Sequence, residues 1–351
     1  MLYLKLNIIE KGKGNMKKRV CLIYTGGTIG MVRTKYGYAP QKDFISRALA
    51  EIKELHSEEM PDYDLIEYDP LLDSSNIAVN HWIQLAEDIE KRYEDYDGFI
   101  ILHGTDTMAY TASALSFMLQ GISKPIILTG SQIPLCEIRN DGRDNIIAAF
   151  MIAANCKIPE VCLYFGNKLF RGNRATKISS DDLIAFDSPN YPPLAQVGVR
   201  IDLRKENIRG AGEKLEVIKF QNHQIAVLKI FPGIQFEVFE NIMTSDLKGI
   251  VIEAFGAGNI PEGGKTLEKI LNKAIENQTI IVVCTQCLKG SAIIGQYETS
   301  KGLFEAGAIS GYDMTVEAAI TKLYYLLSLN YDIDTIKELM ITDLRGELSR
   351  R

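Results

Sequence analysis

Two short glycine-containing loops place threonines where they could do chemistry. The loop Thr25–Gly30 and the loop His103–Thr107 each follow an apolar run of the kind that forms a buried strand. Loops at the carboxyl ends of parallel strands are where open α/β sheets bind small ligands. A hydroxyl exposed on such a turn can act as a nucleophile if a base and an oxyanion site lie nearby. We therefore hypothesise that Thr28 and Thr105 belong to one active site.

Each of these features also has a simpler interpretation. Glycines are typical of a plain strand-to-helix turn, and the first loop lacks the spacing of a phosphate-binding loop. Asp106 could cap a helix that begins near Thr107. A threonine hydroxyl needs a base, and Lys177, in the irregular segment Arg171–Lys177, is a candidate. The alternative for Lys177 is an ordinary basic residue on the surface.

The composition is that of a globular enzyme rather than a nucleic-acid or membrane protein. The chain has 351 residues, which favours two domains, and a formal net charge of −6, which argues against a phosphate-binding surface. No run approaches the roughly 18 apolar residues of a membrane span. Six cysteines, half of them inside strand-like runs, favour a reducing compartment. We expect a cytoplasmic protein.

Other candidate chemistry is weaker. Cys284 and Cys287 have redox spacing but lack the sequence context of a thioredoxin-like motif. The four histidines show no metal-ligand spacing, and His103 is more typical of a structural residue. No G-x-S-x-G turn is present for a serine nucleophile. The sequence predicts neither a metal nor an organic cofactor.

Alternating strand and helix patterns predict an α/β fold with a mostly parallel sheet flanked by helices in a larger N-terminal domain. Helical stripes of apolar residues fall between the predicted strands, and Asn80 and Asp141 are typical helix starts. The strands are predicted at Val20–Tyr24, Leu65–Tyr68, Phe99–Leu102, Ile126–Thr129 and Val161–Phe165. The stripes are Trp82, Leu85, Ile89 and Tyr93, then Met108, Ala112, Leu115 and Leu119, and a third helix is predicted from about Asp144 to Asn155.

A smaller C-terminal α/β domain is predicted after an irregular segment from Ser179 to about Asn222. Its strands are predicted at Ile225–Ile230, Gly249–Ala254 and Thr279–Cys284. Its helices are predicted at Gln235–Ile242, Lys265–Glu276 and Thr315–Ser328, the last with Val316, Ile320, Leu323 and Leu327 on its buried face.

The predicted organisation has four parts. Residues 1–15 are expected to be a disordered extension, because Met16 precedes the basic residues and the first strand and is a plausible start of translation. Residues 16–205 form the N-terminal catalytic domain, residues 206–222 a linker, and residues 223–351 the C-terminal domain.

Several segments together resemble the bacterial L-asparaginases, specifically the cytoplasmic type I group. The resemblance extends from about Lys17 to Leu348. The segments that carry it are Tyr24–Met31, Asp73–Ser75, Gly98–Leu119, Thr129–Leu135, Arg171–Arg174 and Asp313–Ala318.

The resemblance implies hydrolysis of the side-chain amide of L-asparagine to L-aspartate and ammonia. Thr28 matches the nucleophile that forms a β-aspartyl ester, and Tyr38 matches a tyrosine on a loop that closes over the site. Thr105, Asp106 and Lys177 match a group that assists proton transfer and orients water. For substrate binding, Asp73, Ser74 and Ser75 match the segment that holds the α-carboxylate of the substrate. Thr105 and Asp106 also match substrate-binding residues, and Asp106 matches the contact to the α-ammonium.

The resemblance also implies a homodimer or homotetramer and, in some relatives, a separate effector site for asparagine. Thr285, Gln286 and Cys287 match that site, but Glu253 stands where those relatives have an arginine. An acidic group would repel the effector's carboxylate, so we hypothesise that cooperative activation is weakened or lost. Alternative functions are a broader glutaminase-asparaginase, a glutamine-hydrolysing subunit for tRNA amidation, and an inert amino-acid-binding protein on the same scaffold.

Overall fold

The computed structural model describes residues 17–296 and 298–349. The chain divides into two compact units between Val217 and Ile218. The predicted extension of residues 1–15 and the start at Met16 lie outside the described residues. None of the described helices is long and apolar enough to cross a membrane.

The first unit contains an eight-stranded, mostly parallel sheet. Smaller two-stranded sheets lie beside it. The strands of the whole unit are β1 (Arg19–Gly26), β2 (Met31–Thr34), β3 (Gly37–Pro40), β4 (Asp62–Leu72), β5 (Gly98–Leu102), β6 (Leu119–Gln120), β7 (Ile126–Thr129), β8 (Val161–Phe165), β9 (Lys168–Arg171), β10 (Thr176–Lys177), β11 (Phe186–Asp187), β12 (Ala195–Val197), β13 (Ile201–Leu203) and β14 (Glu216–Val217). The sheet order is β13-β12-β9-β8-β7-β5-β1-β4. Strands β4, β1, β5, β7 and β8 run parallel to one another. The predicted fold class is confirmed.

Helices cover the sheet because alternate residues of each strand face opposite sides. The helices of this unit are α1 (Phe44–Glu51), α2 (Val79–Arg92), α3 (Met108–Met118) and α4 (Gly142–Asn155). Val20, Leu22 and Tyr24 of β1 are buried in one cluster with residues of α1 and α4. Strand β1 is apolar along its length because both faces of a parallel sheet are covered.

Two helix predictions need correction. Helix α2 begins at Val79 rather than Asn80, because the Ala78 N–H donates to Nδ1 of His81 at 3.0 Å and starts the first turn there. Helix α3 is buried on nearly every side rather than along one stripe. Its predicted last stripe residue, Leu119, begins β6 and pairs with Val217.

Several short strands were not predicted. Strands β2 and β3 form a separate antiparallel hairpin, and β9, β12 and β13 extend the large sheet in antiparallel orientation. They lie in turn-rich segments whose pairing depends on partners distant in sequence. Residues 206–217 of the predicted linker also bond to the first unit, since the Arg209 N–H donates to the buried Glu160 carboxylate at 2.7 Å and β14 pairs with β6.

The second unit has a four-stranded parallel sheet in the order β15-β16-β17-β18. Its elements are β15 (Gln224–Lys229), β16 (Leu247–Ala254), α5 (Gly264–Glu276), β17 (Ile280–Thr285), α6 (Lys301–Glu305), β18 (Ile309–Ser310), α7 (Val316–Leu327) and α8 (Ile333–Met340). The predicted α-helix at Gln235–Ile242 is instead a 3-10 helix over Phe236–Ile242. Its β-branched and aromatic residues are poor α-helix formers, and Val238 and Ile242 are exposed.

Helix α7 buries a face different from the predicted one. Leu323 is fully buried, but Val316, Ile320 and Leu327 are only half-buried. The buried side includes Lys322, which has no solvent exposure. The sequence pattern did not indicate that this lysine is buried, because its partner is distant along the chain.

That partner is Glu347, which is also fully buried. The Lys322 ammonium contacts its carboxylate and donates to the carbonyl oxygens of Met340 at 3.0 Å and Thr342 at 2.5 Å. The Glu347 carboxylate accepts further bonds from backbone N–H groups at Leu344 and Arg345. The pair thereby fastens the end of the chain to α7.

Removing one member of this pair should destabilise the second unit, because the other charge would stay buried without compensation. We expect Lys322→Met to lower the free energy of unfolding by about 3–5 kcal/mol at pH 7, measured by urea titration. The double variant Lys322→Met/Glu347→Leu should recover part of this loss. A single variant as stable as the unaltered protein would contradict the expectation.

The same pair should make stability depend on acidic pH. Burial opposes ionisation of Glu347, but the Lys322 ammonium and the backbone N–H groups outweigh it, so the pKa of Glu347 lies below its ordinary value of 4.5. Its contribution is therefore complete above that ordinary value and is lost as pH falls through the lowered folded-state pKa. Lys322→Met/Glu347→Leu should show a weaker fall in stability below pH 4.5 than the unaltered protein.

Candidate active site

The candidate residues follow strands that are neighbours in the first unit's sheet. Ser74 follows β4, Thr28 follows β1, Thr105 follows β5 and Gln132 follows β7. The connection after β1 leads to β4 on one side, and the connection after β5 leads to β7 on the other. A switch point of this kind opens a crevice between the carboxyl ends of β1 and β5. The two threonine loops border that crevice.

A main-chain contact brings these loops together. Gly27 has a φ of 91°, and a Cβ added there would overlap the N and Cα atoms of Gly104. A Cβ added to Gly104 would lie 2.5 Å from Oγ of Ser74. The loops after β1, β5 and β4 therefore meet at positions where only glycine fits.

Lys177 joins the second loop through two hydrogen bonds. It lies in β10, and its Nζ donates to Oγ1 of Thr105 at 2.9 Å and to Oδ1 of Asp106 at 2.7 Å. The lysine side chain is 20% exposed and the Asp106 side chain 64%, so one face of the group is open to ligands. The capping interpretation of Asp106 is wrong, because the helix cap is Thr107 and the Asp106 carboxylate faces Lys177.

Sequence reasoning assigned no role to Gln132, which also contacts this group. The Thr105 hydroxyl donates to Oε1 of Gln132 at 3.3 Å, and Nε2 of Gln132 donates to the Asp182 carbonyl at 3.1 Å. The Asp141 carboxylate accepts the N–H groups of Gln132 and Ile133 at 3.0 Å. The sequence offered one signal for Gln132, which is its position in a glycine-containing segment after a predicted strand. Thr105 and Gln132 are 27 residues apart, and that spacing does not show that their side chains meet.

Thr28 lies in a 3-10 turn over residues 28–30 and is half-buried. Its hydroxyl makes no hydrogen bond to any other residue that the structure describes. The adjoining Thr25 is different, because it is buried and its hydroxyl donates to the Leu102 carbonyl at 3.0 Å, which ties β1 to β5. Of the two hydroxyls, only that of Thr28 is available to a ligand.

The segment after β4 is built as a capped turn. Oδ1 of Asp73 accepts the N–H of Ser75 at 2.9 Å and its hydroxyl at 3.0 Å. Ser74 is buried, and its carbonyl accepts the Thr107 hydroxyl at 2.7 Å. Asp73 and Ser75 thus hold the turn, while Ser74 faces the loop of Gly104.

Within the part of the chain that the structure describes, Tyr38 makes no hydrogen bond to the other residues of the candidate group. It lies in the hairpin of β2 and β3, and its hydroxyl donates to Oε1 of Glu137 at 2.7 Å. The same hydroxyl accepts from Arg33 at 3.2 Å. Neither of these bonds involves Thr28. Glu137 had no predicted role.

His103 is fully buried and uses both ring nitrogens. Nδ1 lies 2.7 Å from the Gly104 carbonyl oxygen, and Nε2 lies 3.0 Å from the Thr111 hydroxyl. A carbonyl can only accept, so Nδ1 carries the proton and Nε2 accepts from Thr111. Burial lowers the pKa of His103 to about 4, so the ring is neutral at neutral pH. This arrangement supports the structural interpretation of His103.

The predicted effector residues lie in the second unit at the carboxyl end of β17. Nε2 of Gln286 donates to the Ile230 carbonyl at 2.5 Å and to the Glu253 carbonyl at 2.7 Å, and Oγ1 of Thr285 accepts the Cys287 N–H at 3.0 Å. These groups support the local backbone.

The redox alternative for the same segment is not favoured. Cys284 and Cys287 are both free thiols. Cys284 is buried, and burial raises the pKa of its thiol to about 12, which disfavours the reactive thiolate.

Family models match both units. A model described as "Asparaginase, N-terminal" matches residues 19–209, and one described as "Glutaminase/Asparaginase C-terminal domain" matches residues 224–340. The chain therefore belongs to the asparaginase family.

Particular relatives match over almost the whole length. L-asparaginase 1 of Escherichia coli (strain K12) is 48% identical over 95% of this chain and 98% of its own. The crystal structure of L-asparaginase I from Vibrio cholerae has 42% identity and a TM-score of 0.88, covering 95% of this chain and all of that one. The structure of a probable cytoplasmic L-asparaginase from Campylobacter jejuni has 25% identity and a TM-score of 0.75, covering 93% of this chain and all of that one.

The close contact of Gly27 with Gly104 predicts that Gly27 cannot be replaced without loss of stability. Gly27→Ala should force the loops after β1 and β5 apart, because its Cβ would overlap the backbone of Gly104. We expect a destabilisation of about 1–3 kcal/mol from overpacking and strain. Thermal unfolding measures this change.

Gly198→Ala is the matched control, because a Cβ at Gly198 would meet nothing within 4 Å. It should leave stability within about 0.5 kcal/mol of the unaltered protein. Equal stability of Gly27→Ala and Gly198→Ala would show that the close approach of the two loops is not a constraint.

Proposed function

We propose that this protein hydrolyses the side-chain amide of L-asparagine to L-aspartate and ammonia through an ester of Thr28. One observation carries the proposal, and it is the contact of Gly27 with Gly104. It sets the Thr28 turn beside the loop of Thr105 and Asp106, to which Lys177 is bonded. Membership of the asparaginase family and the name of the 48% identical relative supply the substrate.

In the proposed first half-reaction, Thr28 Oγ1 attacks the side-chain carbonyl carbon of asparagine. The C–N bond then breaks, and the proton lost by the threonine hydroxyl leaves on ammonia. Backbone N–H groups of the glycine loops are suited to stabilise the oxyanion, because glycine allows close approach of the main chain. In the second half-reaction, water attacks the ester carbon and returns a proton to Thr28.

Thr105, Asp106 and Lys177 have the proton-transfer role in this scheme. Lys177 donates to both of the other residues, so the Thr105 hydroxyl sits between an ammonium and the Gln132 carbonyl oxygen. A hydroxyl held in this way can orient an attacking water and relay its proton. Tyr38 is proposed to support Thr28 after the hairpin closes and excludes bulk water.

Recognition of a zwitterionic substrate needs an anion for the ammonium and hydrogen-bond donors for the carboxylate. Asp106 supplies the anion, since its carboxylate is largely exposed and only Oδ1 is bonded to Lys177. The turn of Asp73, Ser74 and Ser75 supplies the Ser74 hydroxyl as a donor beside Gly104, because the N–H and hydroxyl of Ser75 are bonded to Asp73.

We further propose a cytoplasmic homodimer or homotetramer without a nucleic-acid or membrane partner. The solved relative from Campylobacter jejuni is titled a probable cytoplasmic L-asparaginase, which supports the location. The acidic net charge of −6 disfavours nucleic-acid binding.

Two substitutions test the proposed mechanism. Thr28→Ala should lower kcat/KM for asparagine by about 10³-fold or more, because the nucleophile is removed. Thr105→Val should lower it by about 10²–10⁴-fold, because proton transfer is lost while side-chain size is kept. Ammonia release measures both, with Thr266→Val in the second unit as a matched exchange that should leave the rate unchanged.

Undiminished activity in both site variants would overturn the mechanism. The same assay with glutamine and isoaspartyl peptides tests specificity. Glutamine turnover equal to that of asparagine would favour the broader glutaminase-asparaginase.

The effector site gives a separate prediction. We propose that cooperative activation by asparagine is weakened or lost, because the resemblance sets Glu253 where some relatives have an arginine and the Gln286 amide is bonded to backbone carbonyls. The rate should depend hyperbolically on asparagine concentration, with a Hill coefficient of about 1 as expected for independent sites. A clearly sigmoidal curve that Glu253→Ala abolishes would contradict this proposal.

A further inference from the structure

The hairpin that carries Tyr38 has few attachments to the rest of the first unit. Within residues 17–296 and 298–349, strands β2 and β3 pair only with each other, as a sheet of two strands. Residues 33–38 are all exposed. A two-stranded hairpin by itself is marginally stable in water, so contacts with the body of the unit decide where it lies.

Those contacts converge on Glu137 and its neighbour. The Tyr38 hydroxyl donates to Oε1 of Glu137 at 2.7 Å, and Arg33 lies 3.2 Å from both the hydroxyl and that carboxylate oxygen. The Tyr38 hydroxyl and the Glu137 charge raise the pKa of Arg33. At the base of the hairpin, Sγ of Cys136 lies 3.4 Å from the Met31 carbonyl oxygen.

Glu137 is itself held firmly by its own loop. Its N–H donates to the Pro134 carbonyl at 3.0 Å, and its carbonyl accepts from Nδ2 of Asn140 at 2.8 Å. The Leu135 N–H of the same loop donates to the Ile29 carbonyl at 3.2 Å, one residue after Thr28. The backbone of Glu137 is therefore fixed, and the exposed hairpin is the part that can move away from it.

We propose that Glu137 is a positioning residue that latches the hairpin through the Tyr38 hydroxyl in the ligand-free enzyme. The inference rests on the proposed function, since release matters only if Tyr38 supports Thr28. A tyrosine hydroxyl has one proton, so it cannot donate to Glu137 and to a second acceptor at once. Closure over Thr28 therefore requires the Tyr38–Glu137 bond to break.

Molecules whose hairpin is latched cannot close over the substrate. The apparent affinity for substrate is proportional to the fraction of molecules that can close, so latching weakens it. Glu137→Ala should therefore lower KM for asparagine by about two- to fivefold with kcat within about twofold. This size is that of partly exposed, charge-assisted hydrogen bonds. Glu54→Ala is the matched control, since it removes the carboxylate of another exposed arginine pair, with Arg143 at 2.7 Å, and should leave KM unchanged.

The kinetic test distinguishes two possible roles of Glu137, because they predict opposite changes in KM. If Glu137 instead held Tyr38 in its working position, Glu137→Ala would lower kcat or raise KM, and the latch would be overturned. An unchanged KM would also overturn it. Thermal unfolding of each variant confirms that the comparison is between folded proteins.

A second measurement on the ligand-free protein needs no activity. Backbone amides of residues 33–38 should exchange with deuterium at least twofold faster in Glu137→Ala than in the unaltered protein or in Glu54→Ala. In a Tyr38→Phe background, Glu137→Ala should add less, because only the ion pair with Arg33 is left to lose. Exchange in Glu137→Ala equal to that in the unaltered protein would overturn the latch, whereas failure of Thr28→Ala to reduce ammonia release would overturn only the proposed function.

Discussion

Gly27 and Gly104 lie on loops that follow adjacent parallel strands, and neither position can carry a side chain. A Cβ at Gly27 would overlap the Gly104 backbone, and a Cβ at Gly104 would overlap the Ser74 side chain. The approach is possible because β1 and β5 are hydrogen-bonded neighbours whose connections leave in opposite directions. It brings the Thr28 turn beside the loop of Thr105 and Asp106. The position of every candidate residue in the crevice is set relative to this contact.

Hydrogen bonds from a charged residue further fix the second loop. Lys177 reaches the second loop from β10, and its ammonium bonds to both Thr105 and Asp106. The partners of Lys177 lie about 70 residues away in sequence, and the sheet places them within hydrogen-bond distance. Gln132 fills the remaining side of the Thr105 hydroxyl and is held by the Asp182 carbonyl. The second loop is thus fixed by donors and acceptors from other segments, which suits the proton-transfer role proposed for it.

The hairpin of β2 and β3 contrasts with this rigid arrangement. The central parallel strands β1, β5, β7 and β8 are almost entirely buried, whereas residues 33–38 are exposed and rely on a few polar contacts. A site that admits substrate and then excludes water needs one element of low local stability beside a firm framework. The difference between the two parts follows from burial, since a covered sheet gains apolar free energy along its whole length and an exposed hairpin does not.

The order of strands and helices could be predicted from the sequence, because apolar periodicity and turn residues are local properties. Helix α5 and strands β1, β5 and β7 were placed within about two residues of their observed ends. The short strands β9, β12 and β13 could not, because their pairing depends on partners in other segments. The buried Lys322 escaped prediction for the same reason, as its partner Glu347 lies 25 residues further along the chain.

For the candidate site, the sequence by itself determined which residues have suitable chemistry, and the resemblance to type I asparaginases assigned them roles. Only the tertiary structure decided that the Thr28 turn and Thr105 border one crevice, that Asp106 faces Lys177 instead of capping a helix, and that Tyr38 bonds to Glu137. The physical reason is that hydrogen bonds and ion pairs form between groups close in space. Local sequence patterns indicate which strands carry such groups, but they do not show which groups from other segments lie beside them in the folded protein.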